Sequence, residues 1–445
     1  MRIERLQIEN FKNFEDIDIS FANGINLFVG SNGSGKTSIL EAINVALGGF
    51  FGEQEPKMQR MIEMTEVRLF MSNNKLIRSN KASVKAYSEL VGGEWVRNLN
   101  AVTKNNDTKN VKIASSYGSK CINNFNEPEN RDLAPLIVYY STQRLFKDAS
   151  QSAKQKYDSA AGRRNGYLQC LRDNAIKGTL VEWLGNAVTR RATKKIQGIE
   201  TADLILENVE SAIKKTLKYF LELDDEDQIK IYQDPDFDYE LFIQLNSDFS
   251  LPISHYSDGF RNLIYLIIDL IWRASQLNPW LNLDQLSSCQ TGCVTIDEID
   301  LHLHPKWQAK SIGILMELLP NVQFFITTHS PTVVANFKER LRKDGDNVDV
   351  LYILENNSFN KISVSFFGRD INSVLNNPMG ANSKAIEILE LIRAFDRITE
   401  NPESTDDDYE NAIRIAQKIN NYLQGTDKEL IRINSVVEKI KANKL

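Results

Sequence analysis

Histidine and cysteine are scarce in this chain, with four of each in 445 residues. Cys121, Cys170, Cys289 and Cys293 form no CxxC pair and no disulfide-rich pattern. Cys289 and Cys293 alone cannot complete a four-ligand zinc site, so reduced thiols are the reading. His255, His302, His304 and His329 all fall within 75 consecutive residues. No histidine is left elsewhere for a metallonuclease or a histidine-based triad. Long apolar runs are also missing. The longest, around Leu263–Trp272, is interrupted by Asp269, well short of the roughly 18 residues that span a bilayer. The first residues, Met1–Arg5, carry no apolar signal-peptide core. Both absences point to a cytoplasmic protein without a membrane partner. No heptad seam lasts three or four repeats, and no longer repeat is visible.

What is present is ordinary in bulk: 42% apolar, 25% charged and a net charge of −6. The bulk value conceals a segregation. Residues 141–200 carry 12 Lys+Arg against 5 Asp+Glu, and residues 201–250 carry 4 against 13. A chain this long holds two or three domains' worth of residues.

Alternating segments over 2–8 and 16–21 predict two strands, and Ile25–Val29 predicts a third. Thr37–Leu47 follows with helical spacing. A β-rich insertion is expected over 64–113, an apolar strand at Leu136–Tyr140, and mostly helix over 144–222. An apolar helix is expected at 262–277 and buried strands at Gly292–Ile296 and Val322–Ile326. An amphipathic helix should run from Lys306 to Leu319, and a closing hairpin from 349–355 and 361–366. Helices follow from Ser383. The expected division is 1–143, a first α/β part that holds the β-rich insertion; 144–250, a helical arm; 251–370, a second α/β part; and 371–445, a helical appendage.

Gly30-Ser31-Asn32-Gly33-Ser34-Gly35-Lys36-Thr37 fits G-x-x-x-x-G-K-[ST] between a strand and a helix. Glycines let backbone N–H groups curl around an anion, and the helix N-terminus adds its positive dipole end. Lys36 is the candidate for the β- and γ-phosphates and Thr37 for Mg²⁺, with Ser31, Asn32, Gly33, Ser34, Gly35 and Ser38 completing the nucleotide site. The apolar strand ending in Asp297-Glu298 supplies a second element. Asp297 would hold Mg²⁺ through water, and Glu298 would polarise the attacking water. His329, at the end of the next strand, points to the ligand crevice of a parallel sheet. Gln143, also at a strand end, is a candidate for Mg²⁺ or the water. Ser257-Asp258-Gly259 opens the apolar helix, where it is either an N-cap or an anion site.

This set resembles the ABC-type ATPase head of the RecF/SMC/OLD group. The elements that carry it are Asn10-Phe11-Lys12-Asn13-Phe14, the P-loop, the Gln143 loop, Ser257-Asp258-Gly259, Asp297-Glu298, the D-loop-like Ile299–Pro305, and His329. The wording of Asp297–Pro305, the Tyr139–Arg144 loop and Arg369–Leu375 look most like the Septu anti-phage ATPases (PtuA), including retron-associated versions. The resemblance implies an α/β P-loop fold and a Mg²⁺-dependent ATPase acting as a homodimer or higher homo-oligomer. In it, Ser257, Asp258 and Gly259 would face the other subunit's ATP, and Lys12 would help to hold phosphate. Asp258 stands where the familiar signature has glycine, which bears on the hydrolysis rate. The resemblance also implies a separate HNH nuclease partner, PtuB-like, with no nuclease activity in this chain. DNA or retron nucleic acid would bind through Arg144–Lys195, whose alternative is a solvated face meeting the acidic 201–250 stretch. A RecF-like DNA-repair ATPase and a nucleotide-locked scaffold with little turnover stay open beside the defence reading. Asp406–Asp408 is expected to be a solvated loop.

Overall fold

The computed structural model describes all residues except 53–57, 108, 124, 126, 128, 146–158, 173–176, 200–202, 225–227, 238–239, 247–248, 342–347, 356–357, 363–364, 377–378, 380–383, 385, 402–403, 424–426 and 444–445. The chain opens with β1 (Arg5–Phe11), β2 (Phe14–Ser20) and β3 (Ile25–Gly30), then α1 (Lys36–Leu47). Next come β4 (Leu69–Ser72), β5 (Lys75–Arg78), β6 (Lys81–Ser88), β7 (Gly93–Asn100), β8 (Asn105–Asp107), α2 (Lys112–Asn123) and β9 (Leu136–Tyr140). The middle of the chain holds α3 (Lys177–Ile196), α4 (Leu204–Leu221), β10 (Lys230–Asp234), β11 (Glu240–Asn246) and β12 (Phe249–Pro252). There follow α5 (Asp258–Leu277), α6 (Leu283–Cys289), β13 (Gly292–Ile296), α7 (Pro305–Gln308), α8 (Ser311–Leu318), β14 (Val322–Thr328) and α9 (Pro331–Asn336). The last elements are β15 (Val350–Glu355), β16 (Ser358–Lys361), α10 (Ile371–Asn376), α11 (Ile386–Thr399), α12 (Asp406–Tyr422) and α13 (Lys428–Asn443).

Two sheets enclose α1. The first is six-stranded, in the order β16-β15-β3-β14-β13-β9, and parallel except for β16. Every residue of β3, β9, β13 and β14 is buried, as in sheets covered on both faces. The second sheet is antiparallel, in the order β2-β1-β6-β7-β8. Between them α1 buries ten of its twelve residues. The fully buried Trp95 on β7 donates its indole N–H to Ala46 O at the end of α1, 2.9 Å away. The other side of the parallel sheet is held by α5, where Tyr140 OH on β9 donates to Asp269 Oδ2 at 2.8 Å. Asp269 also accepts from Arg273 Nε at 2.8 Å, so the buried pair lies one helical turn apart. The α/β P-loop architecture read from the sequence is the one observed.

Several local expectations are corrected. The strands over 64–113 exist, but β6–β8 continue the sheet begun by β1 and β2 rather than forming a body of their own. Only β4–β5 pair as a separate hairpin. The 144–250 stretch is not wholly helical. Its second part, 230–252, is the antiparallel trio β10-β11-β12, whose short strands lack a clear period-2 alternation. Lys306–Leu319 is not one helix, because Ser311 Oγ donates to Gln308 O and competes with the helical ladder where α7 stops. The return strand of the last hairpin is β16, which pairs Ser358 with Glu355 and ends at Lys361, so it precedes the expected 361–366, of which 363–364 lie outside the described residues. Asp406–Asp408 is no loop. It forms the first turn of α12, capped by Thr405, where acidic side chains complement the helix dipole.

The chain divides into two units, Met1–Val374 and Leu375–Leu445. The second has its own apolar core, built from Ile388, Ile392, Phe395, Ala416, Ile419 and Ile433 of α11–α13. Among the described residues, no helix is long and apolar enough to cross a membrane.

Candidate nucleotide-binding and catalytic site

The strand order places the chemistry. β3, β14, β13 and β9 are neighbours and parallel. Their carboxyl ends therefore bring the P-loop, His329, Asp297-Glu298 and the Gln143 loop to one edge, the ligand crevice of an open α/β sheet. In the loop, Gly35 has φ +99°, and a Cβ there would lie 2.6 Å from the Phe14 ring. Only glycine meets both demands. Asn13, in the β1–β2 turn, donates to Gly33 O at 3.2 Å and tethers the loop from outside.

Lys36 Nζ donates to Gly30 O and Ser31 O, each at 2.8 Å. Burial pushes its ammonium down to about 8, against the opposing pull of Asp297, Glu298 and Asp300. An incoming phosphate would replace these carbonyls as the acceptor and favour the charged form. In the same loop, Ser34 Oγ is a buried hydroxyl without a hydrogen-bond partner among the described residues. This donor set fits a polyphosphate.

Thr37 Oγ1 donates to Asp297 Oδ2 at 2.9 Å, across 260 residues of sequence. A hydroxyl and a carboxylate side by side at the P-loop form the oxygen pair that suits Mg²⁺ with nucleotide phosphates. Asp297 is itself held by Thr327, whose Oγ1 donates to Oδ1 at 2.6 Å. Glu298 has the left-handed φ of +49°, rare for a side chain of this kind. Its backbone N–H donates to Thr327 Oγ1 at 2.8 Å. Glu298 Oε1 lies 3.9 Å from His329 Nε2, and each side chain is about one third exposed. Both therefore reach the open edge. Asp300 braces His329 by accepting from Thr328 Oγ1 at 2.5 Å and from His329 N–H at 3.4 Å.

Ser257 caps α5, accepting from Phe260 N–H at 3.4 Å. Asp258 is exposed and pairs with Arg261, which offsets its charge. Gly259 is buried, and a Cβ there would run into the His302 carbonyl and sit 3.3 Å from Leu303 Cα. Asn262 Nδ2 donates to Leu301 O at 3.1 Å. The signature helix and the 299–305 loop are thus joined within one chain. Lys12 pairs with Glu41 of α1. Gln143 is exposed, its N–H donating to Ser141 Oγ at 3.2 Å. Of the four histidines, His304 caps α7 through Nδ1, His302 and His255 are exposed, and His329 faces Glu298.

Residues 5–244 match the family described as AAA domain. The chain belongs to that family. Among curated relatives, it is 24% identical over 455 residues to the "Retron Vc95 probable ATPase" of Vibrio cholerae, covering 89% of this chain and 83% of that one. It is also 24% identical over 404 residues to the "Septu protein PtuA" of Bacillus thuringiensis, covering 89% and 88%. A shorter match, 37% identity over 114 residues, joins it to "DNA replication and repair protein RecF" of Pasteurella multocida, covering 26% of this chain and 30% of that one. The resemblance to ABC-type heads of the RecF group, and within it to the Septu and retron ATPases, holds.

In this AAA domain protein, Thr327, Asp300 and Asn13 take roles that the sequence motifs around them do not assign. Thr327 and Asp300 flank candidate site residues, and their roles depend on strand register. Ile296 pairs with Ile326, which sets Thr327 level with Asp297. The basic Arg144–Lys195 stretch is described only in part, since 146–158 and 173–176 lie outside the described residues. Where it is described, Arg191 forms a two-pronged ion pair with Glu210, at 2.5 and 2.6 Å. The basic and acidic stretches meet there.

Proposed function

We propose that this chain is the Mg²⁺-dependent ATPase of an anti-phage defence system, dimerising around ATP and controlling a partner nuclease of the HNH class. The observation that carries the ATPase reading is the Thr37–Asp297 contact, with Glu298 and His329 beside it. The likeness to Septu and retron ATPases over most of the chain supports the defence role.

A magnesium ion held by Thr37 and Asp297, with Gln143 from the adjoining strand end, would neutralise charge on the β- and γ-phosphates. Lys36 exchanges its carbonyl partners for phosphate oxygens as the P-loop N–H groups close around them. Glu298 orients a water against the γ-phosphorus and takes its proton as the water oxygen bonds to phosphorus and ADP departs. His329 lies at the same edge and contacts the γ-phosphate or that water. In the dimer, exposed Ser257 and Asp258 at the start of α5 meet the other subunit's nucleotide, and Lys12 leaves Glu41 to hold phosphate. Arg261 offsets Asp258 in that approach.

The test is phosphate release by the purified chain with and without Mg²⁺, alone and with the product of an adjacent reading frame encoding an HNH protein. ATP turnover, and capture of that product, support the reading; no turnover and no capture refute it. A RecF-like repair role has one observation in its favour, the 114-residue RecF match. Steep salt dependence of DNA binding by this chain alone would favour it. ATP-locked dimers without turnover would favour the scaffold reading.

A further inference from the structure

We infer that Thr327 is a positioning residue that couples the cation ligand Asp297 to the general base Glu298, and that it sets how much tighter nucleotide binds with Mg²⁺ than without. The inference rests on the ATPase reading above. Thr327 is fully buried on β14, level with Asp297 across the β13–β14 register. Its hydroxyl forms two bonds of opposite sense, donating to Asp297 Oδ1 at 2.6 Å and accepting from Glu298 N–H at 2.8 Å.

Each bond fixes something different. The first aims the second carboxylate oxygen of Asp297 at Thr37 Oγ1, 2.9 Å away. Rotation of the carboxylate would break both contacts, so the two oxygen donors stay paired. The second bond anchors the backbone of Glu298, which sits at φ +49°. A residue held in that region needs its surroundings to impose it. Thr327 therefore positions the cation ligand and the base with one buried oxygen. It touches neither nucleotide nor water by this geometry, so its effect passes through its two neighbours. An apolar residue of the same shape would fill the same space and supply neither bond.

The test is calorimetric binding of a non-hydrolysable ATP analogue to the full chain, in MgCl₂ and in EDTA. Thr327→Val should cut the Mg²⁺-dependent gain in affinity about tenfold or more, the usual scale for a residue that orients a metal ligand. The affinity in EDTA should stay unchanged, and Thr327→Ser should retain the gain. If Thr327→Val keeps the full gain, or loses affinity equally in both buffers, the inference is overturned. Should the valine variant not fold by circular dichroism, Thr327→Ala and Thr327→Ser, which differ by the hydroxyl alone, are compared in the same way. A wild-type chain that binds no analogue in either buffer removes the ATPase reading itself, and this inference with it.

Discussion

Gly259 lies against the His302 carbonyl so closely that no Cβ fits between them. The glycine of the signature helix is thus required by the chain's own 299–305 loop, whatever it meets in a second subunit. Gly259→Ala should destabilise the first unit by about 1–3 kcal/mol, the range for overpacking a filled interior. Urea unfolding followed by tryptophan fluorescence measures it. An unchanged midpoint would show that the loop yields freely. Because that loop directly follows Glu298, turnover should fall as well.

Glu298→Gln keeps the side chain's size and removes the carboxylate proposed as the base. Turnover should fall by roughly 10²–10⁴-fold, the usual contribution of a positioned general base. Nucleotide affinity should barely change, because Lys36 and Thr37 are untouched. Phosphate release and analogue binding separate the two effects. A variant that hydrolyses ATP at the wild-type rate assigns the base elsewhere.

Much of this site was legible in the sequence because its parts are contiguous. A P-loop is one unbroken octapeptide, and Asp297-Glu298 follows one apolar strand. Thr327 was not legible. Its role depends on β14 lying next to β13 in a particular register, which no local pattern encodes. The same limit explains β6–β8, whose strands could be read but not their pairing with β1. Charge composition misled at 230–252, where Asp234, Asp236 and Glu240 sit at strand ends and in the turn between them, while Ile231, Leu241, Phe242 and Ile243 are buried on the strands. It was more useful at Arg191 and Glu210, where opposite stretches pair.

That pair yields its own expectation. Glu210 is mostly buried, with 15% of its side chain exposed. Arg191→Ala leaves its carboxylate without the two-pronged partner and should cost about 1–3 kcal/mol, as for hydrogen bonds to charged groups. If Arg191 were instead free to hold nucleic acid, the variant would lose DNA affinity without losing stability. Thermal melting alongside a DNA titration decides between them.

The thiols differ sharply in environment. Burial pushes Cys170 and Cys293 each up to about 12, whereas Cys289 is exposed. The thiolate is the reactive form. At pH 8 a thiol of that acidity is ionised in about one molecule in ten thousand. Because their pKa values are raised, an increase from pH 7 to 9 still leaves both thiols almost wholly protonated. Native labelling with an aromatic disulfide reagent should therefore modify Cys289 first and spare Cys170 and Cys293 until the fold is opened with denaturant. Fast reaction at Cys170 would place it nearer the surface than α5 and β9 allow.

Phe395 is fully buried at the centre of the α11–α13 core. Phe395→Ala should cost about 3–5 kcal/mol, the usual penalty for emptying an aromatic site. A small helical unit has little stability to spare, so α11–α13 should lose most of their hydrogen-exchange protection. The proposed nucleotide site belongs to the other unit, built from residues between Lys12 and His329. Analogue binding in MgCl₂ should therefore survive while α11–α13 exchange freely. Measuring both on one sample tests whether the two cores are energetically separate. Loss of binding together with loss of protection would show that the ATPase unit depends on the C-terminal helices to fold.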